Sequence, residues 1–205
     1  MDFASKSDWP GYFQAVLGKP PRETLVKALE LFDKDPAPTQ PRLAIDLACG
    51  EGRDTLELLR RGWRVMAMDG HEAGIQLLRE RVPAEHSGRL ERCEVADFAS
   101  ARWPRCDLLN CSFALPFCPP DLLPDLWKRI VESIRPGGRF AGQIFGERDT
   151  WARCGKTTGI PRSEVERMFA AFIFEELREE EKDDVTTMGE AKHWHVFHIV
   201  ARRFG

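Results

Sequence analysis

Three carboxylates sit where strands should end. Asp46 lies in "IDLACGEG", Asp69 closes "WRVMAMDG" and Asp97 closes "LERCEVADF". Gly50 and Gly52 come between the first two, followed by the helical stretch "RDTLELLRRG". Glycines at a strand-to-helix turn let the backbone approach a ligand, because they carry no Cβ. The helix start behind them offers free N–H groups and a partial positive charge, which suits a carboxylate or a phosphate. Asp69, 19 residues beyond Gly50, can accept from both hydroxyls of a ribose. Asp97 can accept from an exocyclic amine while Phe98 offers a face to an adenine. Each feature alone has a plainer reading: the glycines as an ordinary tight turn, each acid as a solvated turn residue or helix N-cap. Together, three acids at the carboxyl ends of three successive strands describe a nucleoside that carries an amine. The dinucleotide fingerprint G-x-G-x-x-G fails, since the sixth position from Gly50 is Thr55, and this counts against NAD.

The elements that must position these groups alternate. "RLAIDLA", "WRVMAMDG", "LERCEVADF", "CDLLNCSF" and "RFAGQIFG" read as strands. Helices are expected over "RDTLELLRRG", stopped at Gly62, over "EAGIQLLRERVP", halted by Pro83, and over "PPDLLPDLWKRIVESIRPGG". The last tolerates Pro124 in its first turn and is expected to end at Gly137-Gly138. "SEVERMFAAF" opens on a capping box, Ser163 to Glu166. Two further strands, "FIFEELREE" and "HWHVFHIVARR", are joined by about a dozen polar residues without helical pattern, so they are expected to pair antiparallel. The fold class is therefore α/β: a Rossmann-like, doubly wound sheet of five parallel strands plus a terminal antiparallel hairpin, with helices on both faces. Ahead of it, Leu25, Leu29 and Phe32 recur at helical spacing over 22–33, and the Pro-rich "DKDPAPTQP" (33–41) sets this part off. The expected division is an N-terminal arm and helix, 1–39, and a ligand-binding domain, 40–205.

Composition bounds the rest. Of the 205 residues 42% are hydrophobic and 31% charged, which suits a soluble globular chain. A net charge of −3 gives no general attraction for nucleic acid, and no apolar run approaches the ~20 residues of a membrane span. The start "MDFASKSDWPGYF" lacks the pattern of a secretory leader. Six cysteines (49, 93, 106, 111, 118 and 154) form no C-x-x-C pair and read as reduced thiols of a cytoplasmic protein.

The motifs "IDLACGEG", "VMAMDG", "VADF", "CDLLNCSF" and "IRPGGRF", in this order and spacing, resemble the class I S-adenosylmethionine-dependent methyltransferases over roughly residues 40–204. Within them the chain looks similar to the small tellurite-resistance type, on the arm "SDWPGYFQAVLGKPPRETL" and the ending "KHWHVFHIVARR". The resemblance implies S-adenosylmethionine as cofactor and methyl transfer to a small-molecule acceptor. It implies that Asp46 and the glycine turn of Gly50 and Gly52 hold the methionine part, Asp69 the ribose and Asp97 the adenine, with Ala48, Cys49, Gly70, Phe98 and Cys111 also counted to the cofactor site. Ala48 departs from the glycine that many members have there, and this restricts the turn. Arg22 can pair with the cofactor carboxylate or stay solvated. Two rivals remain: a nucleotide-dependent oxidoreductase on a related sheet, and a module that binds the cofactor without catalysis.

Methyl transfer from a sulfonium is an in-line displacement, helped by alignment and by excluding water. The acceptor is expected over the ends of the fourth and fifth strands, near Ser112, Phe113, Glu147 and Arg148. Trp9, Tyr12 and Phe13 either close over this opening as an aromatic lid or simply pack the arm onto the domain. Alternation puts His193 and His195 on one face of the last strand and Trp194, Val196 and His198 on the other. His193 and His195 are the expected catalytic pair, a base and an orienting group. No third ligand accompanies them, so no metal is expected.

Overall fold

The computed structural model describes residues 8–205, and the expectation about a leader falls in part on residues 1–7, outside them. Seven strands form one sheet in the order β3-β2-β1-β4-β5-β7-β6. The central strand β1 (Leu43–Leu47) is buried at all five positions, as a parallel strand covered on both faces must be. It pairs in parallel with β2 (Arg64–Asp69) and β4 (Cys106–Cys111). β3 (Leu90–Val95) and β5 (Ile134–Phe145) extend the parallel set on either side. β7 (Ala191–Arg203) then runs antiparallel to β5, and β6 (Phe172–Val185) pairs antiparallel with β7 at the edge. The expected five parallel strands and terminal antiparallel hairpin are present. Strand order reverses between β1 and β4, so a crevice opens at their carboxyl ends.

Helices cover both faces. On one face α2 (Glu23–Phe32), α3 (Arg53–Arg60) and α4 (Glu72–Arg81) bury Leu25, Leu29, Leu58, Leu59, Ile75 and Leu78. On the other, α5 (Leu123–Ser133) buries Leu126, Trp127 and Ile130 beside Val165 of a short helix over 162–168 and Phe169. α1 (Trp9–Val16) starts where the Asp8 side chain accepts from the Gly11 amide at 2.9 Å, and it buries Phe13 and Val16. Its eight residues are a helix that the aromatic pattern of the arm alone did not announce.

Arg139, only 2% exposed, fastens the linker after α2 to the sheet. Its guanidinium bonds Asp35 at 2.5 Å and Glu175 of β6 at 2.6 Å, and lies 4.3 Å above the Phe32 ring. Arg42 adds a bond to the Pro36 carbonyl at 3.1 Å.

Three local expectations need correction. α5 ends at Ser133 rather than at Gly137-Gly138, because Ile134 already pairs with Cys106 and β5 begins there. Gly138 instead lets β5 run close to β4, since a Cβ there would stand 2.6 Å from the Asp107 carbonyl oxygen. The helix over 162–168 is not capped by Ser163: Pro161 is its N-cap and no side chain bonds its first amides. The hairpin turn is the short stretch 186–190, and the acidic run before it is strand. That run stays extended because its charges are matched, Glu181 with Arg148 after β5 and Glu180 with Arg178 and Lys182 along β6 itself.

Candidate active site

The turn after β1 is held from the next strand. Cys49 donates its amide to the Met68 carbonyl at 3.0 Å, and Gly50 donates its amide to Asp69 Oδ2 at 2.8 Å. The other Asp69 oxygen accepts from the His71 amide at 2.8 Å. Asp69 therefore braces two loops while lying at the crevice, and its burial raises its pKa against the pull of those two amides. Gly52 stands at φ +88°, and a Cβ on it would meet Leu78 Cδ1 at 2.4 Å, so glycine is required there for α3 and α4 to pack. Ala48 adopts φ +59°, a left-handed conformation that an alanine occupies at a cost.

Below the turn lies a buried polar network. Asp46 accepts from Thr55 Oγ1 at 2.5 Å and from Asn110 Nδ2 at 2.9 Å. Asn110 also donates to Asp54 Oδ2 at 3.0 Å, and Ser112 Oγ donates to the same oxygen at 2.7 Å. Asp54 Oδ1 accepts the Arg22 amide at 2.8 Å, which ties the start of α2 to the cluster. Burial, and then the neighbouring Asp54 charge, push the Asp46 pKa up to about 7. The thiols of Cys49 and Cys111 are buried beside these acids and are held far above their ordinary range, so both are inert.

The arm closes over this turn. Phe13 is 3% exposed, and a Cβ on Gly50 would come 3.3 Å from its ring. Trp9 meets Phe117 at 5.2 Å, His71 at 5.7 Å and Tyr12 at 5.9 Å between ring centroids. Tyr12 accepts from the Arg22 guanidinium at 3.2 Å, and that guanidinium lies 4.5 Å from the centre of the Phe113 ring. No carboxylate pairs with Arg22 among the described residues. Phe113 is itself in the left-handed region, φ +53°, with its amide bonded to Gln143 Oε1 at 3.0 Å. Gln143 in turn donates to Thr24 Oγ1 at 2.9 Å.

Other expected site residues stand apart from this cluster. Asp97 is exposed, and its Oδ1 accepts from the Ser100 amide at 2.7 Å and hydroxyl at 2.6 Å, bonds that lower its pKa. Phe98 is half-buried and Gly70 exposed. Glu147 is exposed, and Arg148 binds Glu181 and Glu179 of β6. His193 bonds Asp183 and Glu181, which raise its pKa, Glu181 first. His195 is 1% exposed; its Nδ1 accepts the Arg148 amide at 3.1 Å, so its Nε2 carries the proton and donates to Glu179 at 2.9 Å. Both nitrogens of His195 are thus engaged in holding the loop after β5.

Sequence reasoning missed Asp54, Thr55, Asn110, Gln143 and the buried Lys192–Asp149 pair. One signal was available: Asn110 stands within the apolar run "LLNC", and a polar side chain buried mid-strand needs partners.

Residues 44–138 match the model of a methyltransferase-domain family. A carboxy-S-adenosyl-L-methionine synthase from Shewanella amazonensis is 31% identical over 97 residues, 45% of this chain and 40% of that protein, so the match spans well under half of the relative. TehB from Haemophilus influenzae superposes with a TM-score of 0.70 at 18% identity, over 95% of this chain and 67% of that one. A 1,6-didemethyltoxoflavin-N1-methyltransferase from Burkholderia thailandensis, solved with that compound and S-adenosylhomocysteine, gives 0.65 at 20% identity over 99% and 84%. Residues 44–138 thus match a methyltransferase domain, and the chain shares the fold of these neighbours over 95% and 99% of its length.

Proposed function

We propose that the protein transfers a methyl group from S-adenosylmethionine to a small-molecule acceptor. One observation carries this reading: three buried carboxylates, Asp46, Asp54 and Asp69, gather around a glycine turn at the switch point of the sheet. That donor set suits a cationic nucleoside. Asp69 would take the ribose hydroxyls on its remaining lone pairs, and the Asp46–Asp54 pair would face the methionine ammonium. Arg22, which pairs with no carboxylate among the described residues, would hold the cofactor carboxylate, and Asp97 with Phe98 the adenine edge. The cofactor, when bound, supplies a methyl group on a cationic sulfur that is a ready leaving group.

What the chain supplies is alignment and dryness. α1 excludes water by laying Phe13 on the Gly50 turn, so residues 9–16 act as the lid and must lift for the cofactor to enter. Ser112 and Phe113 form the acceptor side of the crevice, with Glu147 and Arg148 at its rim. His193 and His195 serve that rim, His195 by holding the Arg148 amide. Free cysteines and the lack of a helix long and apolar enough to cross a membrane among the described residues support a cytoplasmic location.

The test is ligand-induced stabilisation. S-adenosylmethionine or S-adenosylhomocysteine at a hundredfold excess over Kd should add about 2.7 kcal/mol. In a chain of this size that raises Tm by roughly 5–10 °C. No shift with either, or a larger shift with NAD, overturns the reading.

A further inference from the structure

The face of β7 opposite His195 carries a buried ring that makes no hydrogen bond among the described residues. Trp194, Val196 and His198 share it with Lys182, Glu180 and Arg178, their pairing residues on β6. His198 is 5% exposed, and neither ring nitrogen hydrogen-bonds a described residue. Glu23 Oε1 lies 3.1 Å from Nδ1 but out of line for a bond, and Glu180 Oε2 lies 3.8 Å from Nε2. Buried polar groups in native proteins are bonded as a rule, so an exception points to a partner that arrives with a ligand. The ring meets Phe113 edge-on at 6.0 Å, and Phe113 meets Trp194 at 6.5 Å. Ser112, one residue before Phe113, belongs to the acid network beneath the turn. His198 and that network therefore flank the same short segment after β4.

We infer that His198 is a catalytic residue of the acceptor site, and that this site takes a flat aromatic acceptor with an ionisable hydroxyl, walled by Phe113 and Trp194. The inference rests on the methyltransferase reading above. In the step it describes, a ring nitrogen of His198 takes the hydroxyl proton. The acceptor oxygen forms its bond to the methyl carbon as the carbon–sulfur bond breaks. The electron pair of that bond stays on sulfur, which becomes a neutral thioether, and the proton later leaves His198 for solvent. The surroundings suit a base that is neutral at rest: burial and the Arg178 charge hold the imidazole pKa below its ordinary value. Glu23 and Glu180 are close enough to steady the imidazolium that forms, against Arg178 and Lys182. Arg178 bridges the two glutamates, and all three side chains are exposed enough to part and admit a ligand.

The probe is 4-nitrophenol, whose phenolate absorbs at longer wavelength than the phenol. At slightly acid pH, with the protein saturated by S-adenosylhomocysteine, the bound probe should show phenolate absorbance in the native protein and none in His198→Gln. In the native protein labelled with ¹⁵N-histidine, the His198 resonances should move on adding the probe; this readout does not depend on a variant that folds. Equal absorbance in both proteins, or no movement of His198 at saturating probe, overturns the inference while cofactor binding stands. Failure of S-adenosylhomocysteine itself to bind removes the reading beneath it.

Discussion

Replacing Asp69 by Asn separates two duties of one side chain. The carboxylate accepts from the Gly50 and His71 amides at 2.8 Å each, and it is 6% exposed. Asn has the same shape but one acceptor oxygen, so one amide keeps a neutral bond and the other faces an NH₂ group. A hydrogen bond to a charged group contributes about 1.5–3 kcal/mol. Against this loss, the substitution removes a buried charge whose desolvation is the largest influence on its pKa. We expect a net loss of stability of about 1–2 kcal/mol, since the two effects oppose. At about 2–4 °C per kcal/mol for this size, Tm falls by roughly 2–8 °C. Cofactor binding loses its ribose acceptor as well, a further 1.5–3 kcal/mol or about a 10- to 150-fold weaker Kd. Calorimetric titration with S-adenosylhomocysteine and a thermal melt of the free protein read the two duties separately. A lower Tm with unchanged affinity would falsify the ribose role and leave Asp69 as a loop brace. No change in either would refute the geometry.

Four further outcomes follow from the same contacts. Ala48→Gly relieves left-handed strain of about 1–2 kcal/mol but adds unfolded-chain entropy of about 0.5–1 kcal/mol, so urea unfolding should show up to about 1 kcal/mol of added stability; a clear loss would contradict the strain argument. The Asp46 pKa, about 7 in the fold against about 3.9 unfolded, means that the folded state binds more protons in between, so this group's contribution to stability falls as pH rises through that window. A cationic cofactor favours the ionised acid, so its affinity should rise from pH 6 to 8 with net proton release, and titration calorimetry in two buffers checks this. Phe13→Ala should speed S-adenosylhomocysteine release at least tenfold in stopped flow while global stability drops by well under the about 3–5 kcal/mol of a core phenylalanine; the full core cost with unchanged release marks the arm as ordinary packing. Lys192→Met leaves the Asp149 carboxylate buried and unpaired and should cost about 3–5 kcal/mol, partly recovered when Asp149→Asn is added, as denaturant midpoints will tell.

What the sequence made legible was local chemistry. Asp46, Gly50, Gly52 and Asp69 announce themselves because strand end, turn and helix start are contiguous, and β1, β2, β4 and β5 follow from short apolar runs, while β3, rich in polar residues, gives a weaker signal. Asp54, Asn110 and Gln143 did not, because their meaning arises only when α3, β4 and β5 come together; Gln143 bonds Thr24, 119 positions away. Gly137-Gly138 looked like a helix stop because such pairs often are, while here Gly138 permits close strand approach and Gly137 takes a left-handed φ of +78°. Residues 181–185 looked like loop, although they continue the strand read over 172–180, because charges mask the alternation; Glu179 and Glu181 face Arg148, Glu180 faces Arg178, and the period-2 pattern is carried by ion pairs instead of apolar residues.

The Arg139 fastening decides where the arm can bend. With Asp35 fixed to the sheet and the Arg22 amide fixed to Asp54, both ends of α2 are moored, and the Pro-rich stretch at 33–41 cannot serve as the hinge its composition suggests. Among the described residues of the arm, the stretch left unmoored lies between α1 and Arg22, where Gly18 stands at φ +75° ahead of Pro20 and Pro21. Eight helical residues at 1.5 Å each make a lever about 12 Å long on that pivot. A lever of this reach uncovers the Gly50 turn and leaves Thr24, Gln143 and Phe113 in place. With residues 9–16 as the proposed lid, cofactor exchange would be mechanically decoupled from the proposed acceptor wall, which would keep its shape from one turnover to the next.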